Sequence, residues 1–316
     1  MIEVIVTART REAEGVCSYE LSCAQGKPLP PFSAGAHIDV HLPDGLVRQY
    51  SLCNQPQERH RYLIGVLNEA ESRGGSRCLH EQVEAGQRLL ISEPRNHFAL
   101  APGAKRSLLF AGGIGITPIL CMAEQLWLQG DDFELHYCAR SSERAAFLER
   151  LAATPFAGRV HLHFDALAQT RLDLAQVLAL PGVADHLYVC GPGGFMQHVL
   201  DSARSLGWQD TQLHREYFAA APVDTTDDGV FSVKLGSTGQ VFEIPADKTV
   251  VQVLESHGVP IAVSCEQGVC GTCLTRVLEG VPEHRDLYLT EDEQAANDQF
   301  TPCCSRARTA MLVLDL

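Results

Sequence analysis

Four cysteines constrain this chain more than any other feature. Cys265, Cys270 and Cys273 lie in the stretch Cys265-Glu266-Gln267-Gly268-Val269-Cys270-Gly271-Thr272-Cys273, and Cys303 follows thirty positions further on. The spacing C-x4-C-x2-C with a distant fourth cysteine is the plant-type pattern in which four thiolates hold a [2Fe-2S] cluster. Three ligands in so short a stretch must wrap a small inorganic core closely and turn backbone N–H groups toward its sulfurs. Gly268 and Gly271, set between the ligands, permit that path. Two other readings compete: a zinc knot from Cys270, Cys273, Cys303 and Cys304, or buried thiols without metal. The zinc knot leaves Cys265 without a role and makes its second ligand pair adjacent residues. Of Cys303 and Cys304 only one can serve, because successive side chains of extended backbone point to opposite faces. The separation from Cys273 matches plant-type spacing at Cys303, and Cys304 is then expected to enter the core as a small apolar side chain.

A chain of 316 residues with 45% hydrophobic and 20% charged content is ordinary for a globular protein of two or three domains. Twenty-five basic against 39 acidic residues give a net charge of −14, which argues against nucleic acid or an anionic membrane as partner. The amino-terminal MIEVIVTARTREAEG has neither a basic segment nor a long apolar one, and no run approaches the ~18 to 20 apolar residues of a membrane span. A cytoplasmic protein is expected. The other eight cysteines (17, 23, 53, 78, 121, 138, 190 and 304) are scattered in contexts that suit reduced thiols.

The first hundred residues read as all-β. Runs at 2–7, 16–23, 37–42, 46–52, 62–67 and 89–92 are separated by Gly, Pro and Asp turns, a density that predicts a small antiparallel barrel. Arg48-Gln49-Tyr50-Ser51 ends one strand with a cation, an aromatic ring and a hydroxyl, which could meet the phosphate, ring face and polar edge of one ligand, or could be an exposed sheet edge. Ser72-Arg73-Gly74-Gly75-Ser76-Arg77 precedes a short helix at 78–83, and a glycine-rich turn feeding a helix N-terminus is a natural phosphate cradle.

From Pro102 strands and helices alternate. A strand at 107–111 runs into Gly112-Gly113-Ile114-Gly115-Ile116-Thr117-Pro118 and then a helix to about Gln129, with Thr117 expected as its N-cap. Strands at 133–139, 160–164 and 186–190 and helices at 144–153, 172–180 and 195–206 complete an open parallel sheet. Two glycine turns, Gly112-Gly113-x-Gly115 and Gly191-Pro192-Gly193-Gly194, then face one cleft beyond the strand ends, as a dinucleotide site requires, although either alone could serve tight packing.

These motifs together resemble the phthalate dioxygenase reductase-type family of the ferredoxin–NADP reductase superfamily. The flavin motif is similar to Arg48-x-Tyr50-Ser51, the pyridine-nucleotide motifs to Gly112-Gly113-x-Gly115-x-Thr117-Pro118 and Cys190-Gly191-Pro192, and the ferredoxin part follows at the carboxyl end as it does here. The resemblance covers essentially the whole chain. It implies FMN in the barrel, with Arg48 and Gly74-Gly75-Ser76 on its phosphate, Tyr50 on the ring and Ser51 near the reactive edge; no motif excludes the adenylate tail of FAD. Phe218 could cover the other ring face or be buried between domains. Cys190 is placed near the nicotinamide and Thr117 near the flavin or pyrophosphate, neither as a covalent nucleophile. The family's C-x-S-R-A ending aligns its cysteine with Cys303.

The implied activity is that of a monomeric NADH-dependent reductase passing single electrons to a Rieske-type oxygenase, of the phthalate or phenoxybenzoate type or another. From a different class, a redox sensor could use the same cluster as a switch. In the segment 138–144 a free ribose hydroxyl suits an acceptor such as Glu143, whereas a 2′-phosphate suits the cations Arg140 and Arg144. The fold expectation is a multidomain β + α/β + α+β chain. It has a flavin-binding antiparallel barrel (1–101), a nucleotide-binding parallel-sheet domain (102–221), a linker near 220–229 and a β-grasp [2Fe-2S] ferredoxin domain (230–316). That last part carries twelve Asp and Glu against six Lys and Arg, including Glu291-Asp292-Glu293, either a solvated face or a docking surface.

Overall fold

The computed structural model describes residues 1–69, 74–220, 226 and 228–316. Its internal contacts divide it into two units, Met1–Glu216 and Tyr217–Leu316. The expected linker 220–229, the boundary at 221 and the motif residues Ser72 and Arg73 lie wholly or partly outside the described residues.

In the first unit, strands β1 (Ile2–Ala13), β2 (Val16–Cys23), β3 (Ala36–His41), β4 (Val47–Ser51), β5 (Tyr62–Leu67) and β6 (Arg88–Ile91) pair in the order β4-β3-β6-β1-β2-β5, with β7 (Arg95–Asn96) beside β3. Leu52 bridges Ile64, and the Cys53 amide donates to the Leu63 carbonyl at 2.9 Å. These bonds bring the two outer strands together and close the barrel, which removes open edges. Val4, Leu21, Ile38, Val40, Ile64 and Ile91 fill it. All six expected strands are present, β1 running on to Ala13. Helix α1 (Gly75–Gln82) begins three residues before its expected start, directly on the glycine turn.

The second sheet of this unit is parallel throughout: β8 (Arg106–Gly112), β9 (Asp132–Ala139), β10 (Val160–Phe164), β11 (Asp185–Cys190) and β12 (Leu213–Glu216) in the order β10-β9-β8-β11-β12. The chain winds outward from β8 to β10, then returns to lay β11 on the other side of β8, so the order reverses between β8 and β11. Helices α2 (Ile116–Gln129), α3 (Leu148–Ala152), α4 (Leu174–Val177) and α5 (Gly193–Ser205) connect the strands. Three expectations change here. Helix α2 starts at Ile116 behind a 3-10 turn at Gly113–Gly115, so Gly115 rather than Thr117 takes the cap position. The helices expected at 144–153 and 172–180 shrink to α3 and α4, because Phe147 (φ 63°) and Leu180 (φ 56°) adopt left-handed backbone and Pro181 cannot continue a helix. Strand β12 was not expected: Leu-His-Arg-Glu carries one apolar residue, and it becomes a strand only through its pairing with β11.

The second unit holds β13 (Phe231–Leu235), β14 (Val241–Ile244), α6 (Val250–Ser256), β15 (Thr275–Glu279), β16 (Pro282–Glu283), α7 (Glu291–Ala296), β17 (Gln299–Phe300), β18 (Arg306–Ala307) and β19 (Met311–Leu314). Its sheet runs β14-β13-β19-β15-β17, with β13 and β19 parallel and the other pairs antiparallel. Helix α6 packs Val250, Val253 and Leu254 into the same core as Val233 and Leu312, the expected β-grasp. The acidic run has a local cause: Glu291, Asp292 and Glu293 form the first turn of α7, where negative charge is favoured, and Glu293 closes a capping box with Thr290. Among the described residues no helix is long and apolar enough to cross a membrane.

Candidate active site and metal centre

The two glycine turns meet as the sequence suggested. A Cβ on Gly115 would stand 2.2 Å from the Cys190 carbonyl oxygen, and one on Gly191 (φ 157°) 2.8 Å from the Gly112 Cα. Only glycine at these positions lets the heads of β8 and β11 approach so closely. The register then sets Cys190 beside Glu216, each the last residue of its strand. Ser51, the last residue of β4, donates its hydroxyl to Glu216 Oε2 at 3.2 Å. Ser51 and Cys190 are buried. Burial raises the Glu216 carboxyl to about 8 against the opposing Ser51 hydrogen bond, so at neutral pH it holds its proton. The Cys190 thiol is pushed well up, by burial first and by Glu216 second, and stays neutral. A hydroxyl, a thiol and a protonated carboxyl thus meet at the carboxyl ends of the strands. Sequence reasoning missed Glu216, whose only signal was an acid in an otherwise weak segment.

Around the barrel, a Cβ on Gly75 would meet Arg48 Cγ at 2.4 Å and Nε at 3.0 Å. The Arg48 side chain therefore lies across the first turn of α1, and Gly74 (φ 99°) occupies its cap position. A guanidinium over a glycine-started helix N-terminus fits a phosphate monoester. Ser76 Oγ accepts the Glu69 amide at 3.2 Å, which braces the turn. Tyr50 is half-buried against the barrel core, and burial raises its phenol. Thr117 is buried, its hydroxyl donating to the Ile114 carbonyl at 3.0 Å and its methyl lying where a Cβ on Gly65 of β5 would be, at 2.7 Å. Gly113 has positive φ (54°), as its turn requires. Glu143 is exposed in the turn after β9, its carboxyl held below the usual range by the Ser141 hydroxyl and nearby backbone. Arg144 pairs with Glu14 at 3.0 Å. Phe218 belongs to the second unit and is 41% exposed.

In the second unit Cys265, Cys270, Cys273 and Cys303 converge. Cys265 is held low, first by the Cys270 thiol and then by the Cys303 thiol, and Cys303 also bonds Cys273. Backbone N–H groups point at the sulfurs: Gln267 N to Cys265 Sγ at 3.3 Å and Thr272 N to Cys270 Sγ at 3.4 Å. Four convergent thiols, two of them met by amide donors, fit an iron–sulfur cluster far better than an inert core. Positive φ at Glu266 (55°), Gly268 (69°) and Gly271 (68°) gives the loop its path. A Cβ on Gly271 would strike the Tyr288 ring at 2.2 Å, and one on Gly268 the Cys304 sulfur at 2.5 Å. Leu287 N donates to the Gly268 carbonyl at 3.0 Å, and Asp286 accepts Leu289 N at 2.8 Å, so the segment 286–289 braces the loop. Nothing in the spacing flagged these residues. Cys304 is partly buried against the core of this unit, as expected, and it also has polar neighbours. Its sulfur lies by Gly268, with Thr301 Oγ1 at 3.3 Å and Ser305 Oγ at 3.8 Å.

The 2Fe-2S iron-sulfur cluster binding domain family matches residues 233–308, and the dimethylamine monooxygenase subunit DmmA-like N-terminal domain family matches residues 90–213. The vanillate O-demethylase oxidoreductase of Pseudomonas putida is 69% identical over 317 residues, with all of both chains covered. The phthalate 4,5-dioxygenase oxygenase reductase subunit of Pseudomonas putida is 43% identical, covering 98% of this chain and 95% of that one. The solved structure of phthalate dioxygenase reductase, described as modular for electron transfer from pyridine nucleotides to [2Fe-2S], shares 39% identity and a TM-score of 0.78 over 100% of this chain and 98% of its own. Fold and site define a modular electron-transfer oxidoreductase. The chain belongs to the phthalate dioxygenase reductase-type family.

Two predictions test this geometry. Gly115→Ala drives a methyl into the Cys190 carbonyl and should lower the rate of NADH-dependent reduction at least tenfold while iron content stays at the wild-type level; an unchanged rate removes the close contact as a requirement. For Glu216, the folded carboxyl binds its proton up to about pH 8, whereas an unfolded one releases it near 4.3. Stability contributed by this site therefore falls as pH rises from about 5 to 8, by on the order of a few kcal/mol, and levels off above. Urea unfolding of wild type and Glu216→Gln should show the variant gaining over wild type across that window; parallel pH curves mean that the native carboxyl is ionised.

Proposed function

We propose that this chain is the NADH-dependent reductase component of a two-component Rieske-type aromatic oxygenase, with the electron route NADH, FMN, [2Fe-2S], oxygenase, and with vanillate O-demethylation as the reaction served. The observation that carries the reading is the convergence of four thiols in one chain with a glycine-turn cleft and an arginine-covered helix N-terminus. The vanillate assignment is supported by relatives of that name in three bacteria, at 69%, 60% and 48% identity over essentially full length.

The division of labour follows the three sheets: residues 1–101 hold the flavin, 102–221 the pyridine nucleotide and 230–316 the cluster. Arg48 and the turn Gly74-Gly75-Ser76 bind the FMN phosphate, and Tyr50 takes its ring. When bound, a flavin accepts two electrons as hydride and gives them up singly, the conversion that a one-electron [2Fe-2S] acceptor needs. Ser51 and Glu216 supply a hydrogen-bonded proton at the strand ends, and neutral Cys190 bounds the cleft without adding charge where the nicotinamide enters. Gly112, Gly113, Gly115, Thr117 and Gly191 shape the pyrophosphate path. Glu143 accepts the ribose hydroxyls, and the Arg144–Glu14 pair removes one of the two cations that a 2′-phosphate would use. Cys265, Cys270, Cys273 and Cys303 ligate the cluster. The acceptor is met transiently by a monomer in the cytoplasm. Cysteines that form no disulfide among the described residues and a net charge of −14 suit that compartment and a partner that is neither nucleic acid nor membrane.

Anaerobic stopped-flow mixing with NADH should bleach the flavin first and the cluster second, with kcat/KM for NADH above that for NADPH. Oxygenases for vanillate, phthalate and phenoxybenzoate, each supplied with this reductase, should differ in turnover, vanillate leading. Preference for NADPH, or for another oxygenase, overturns that part of the assignment, and slow or absent cluster reduction makes the protein a sensor. Cys303→Ser should abolish the cluster while flavin reduction by NADH continues, and Cys304→Ala should keep a plant-type visible spectrum. The opposite outcome in this pair assigns the fourth ligand to Cys304.

A further inference from the structure

A second group of metal-binding side chains lies in the parallel sheet, away from its strand ends. Glu134-Leu135-His136 on β9 and His161-Leu162-His163 on the edge strand β10 alternate, so that Glu134 and His136 share a face, as do His161 and His163. The parallel register sets His161 beside His136. The His136 ring stacks between Phe110 of β8, 5.1 Å between centroids, and His161 at 4.8 Å, with His163 at 5.4 Å.

Hydrogen bonding fixes the tautomers. The Thr170 carbonyl can only accept, so His163 Nδ1 carries the proton that reaches it at 2.7 Å. His163 Nε2 is then bare, and His136 Nδ1 donates to it at 3.1 Å. This leaves a bare lone pair on His136 Nε2, which is buried and has no hydrogen-bond partner. That lone pair stands 3.7 Å from Glu134 Oε2, itself an acceptor, and His161 Nε2 lies at the same distance from the same oxygen. The other carboxylate oxygen of Glu134 takes the Arg106 guanidinium at 2.6 Å, which leaves Oε2 to point at the two imidazoles. A buried acceptor facing an acceptor is a cost that a cation between them removes.

We propose that Glu134, His136 and His161 form a binding site for a divalent transition metal, with zinc as the ion that fits. Two imidazole nitrogens and one carboxylate oxygen with a position left open are a common zinc donor set. The three donor atoms lie within 4.8 Å of one another. Bonds of about 2.0 to 2.1 Å place tetrahedral ligands roughly 3.4 Å apart, so the two spacings of 3.7 Å close with shifts of a few tenths of an ångström. His161, with its side chain 45% exposed on the edge strand, turns out of the stack to bring its lone pair to the ion. His163 orients His136 and Arg106 orients Glu134, the outer contacts that hold metal ligands in place. The ion ties the edge strand β10 to β9. It has no part in hydride transfer, because Glu134 is the third residue of β9 and the cleft lies at the other end of the strand.

The test uses the full-length protein with flavin and iron–sulfur cluster intact, passed over a mild chelator and titrated with zinc chloride. Wild type should retain one zinc per chain after dialysis, with iron content and visible spectrum unchanged, and its melting temperature should rise with zinc. His161→Ala should bind zinc at least tenfold more weakly and show no rise, while reducing an artificial acceptor from NADH at the wild-type rate. Glu134→Gln, which keeps the side-chain volume, should behave likewise. No zinc retained by wild type, equal retention by the variants, or zinc uptake accompanied by iron loss, which places the ion on the cluster thiols, each overturns the proposal.

Discussion

The contact between the glycine turns at the heads of β8 and β11 is the constraint on which the catalytic half of the molecule depends. A side chain at Gly115 would overlap the Cys190 carbonyl, and one at Gly191 would overlap Gly112. With both turns bare, β11 pairs with β8 to its last residues, and β12 pairs with β11 as far as Glu216. The carboxyl that ends β12 then reaches the hydroxyl that ends β4 of the barrel. One steric requirement at a switch in strand order thus places groups from a barrel strand and two sheet strands around a single cleft.

Burial gives those groups their chemistry. In water Glu216 would be an anion and Cys190 a modest acid; enclosed, both are neutral at physiological pH. The walls of this cleft thus carry hydrogen bonds without fixed charge. The second unit uses the opposite device. There the loop aims amide N–H groups at the Cys265 and Cys270 sulfurs, donors that stabilise negative charge on metal ligands.

In the ferredoxin part, structural context gives a local signal its cause. Glu291-Asp292-Glu293 is exposed, as a solvated face requires, and it forms the first turn of a capped helix, where negative charge meets the positive end of the helix dipole. Asp228 is likewise absorbed into local order: it pairs with Arg285 at 2.5 Å and Arg306 at 3.5 Å within the second unit. Arg306 also donates to the Pro245, Lys248 and Gly229 carbonyls, so one buried guanidinium satisfies several backbone groups at once.

By itself the sequence determined what depends on spacing and period. Alternation marked six barrel strands, the glycine turns marked the heads of the parallel strands, and the cysteine intervals marked the cluster loop, because each is a property of neighbouring residues along the chain. Tertiary structure decided what depends on pairing across it. The strand β12 exists because β11 is beside it, since Leu-His-Arg-Glu has no strand signal of its own. Glu216 matters because that strand sets it against Ser51, 165 positions away in sequence. The braces at Asp286 and Tyr288, and the meeting of Glu134 with His136 and His161, arise the same way. Contact between distant residues is set by packing and register, and a list of residues carries no record of either.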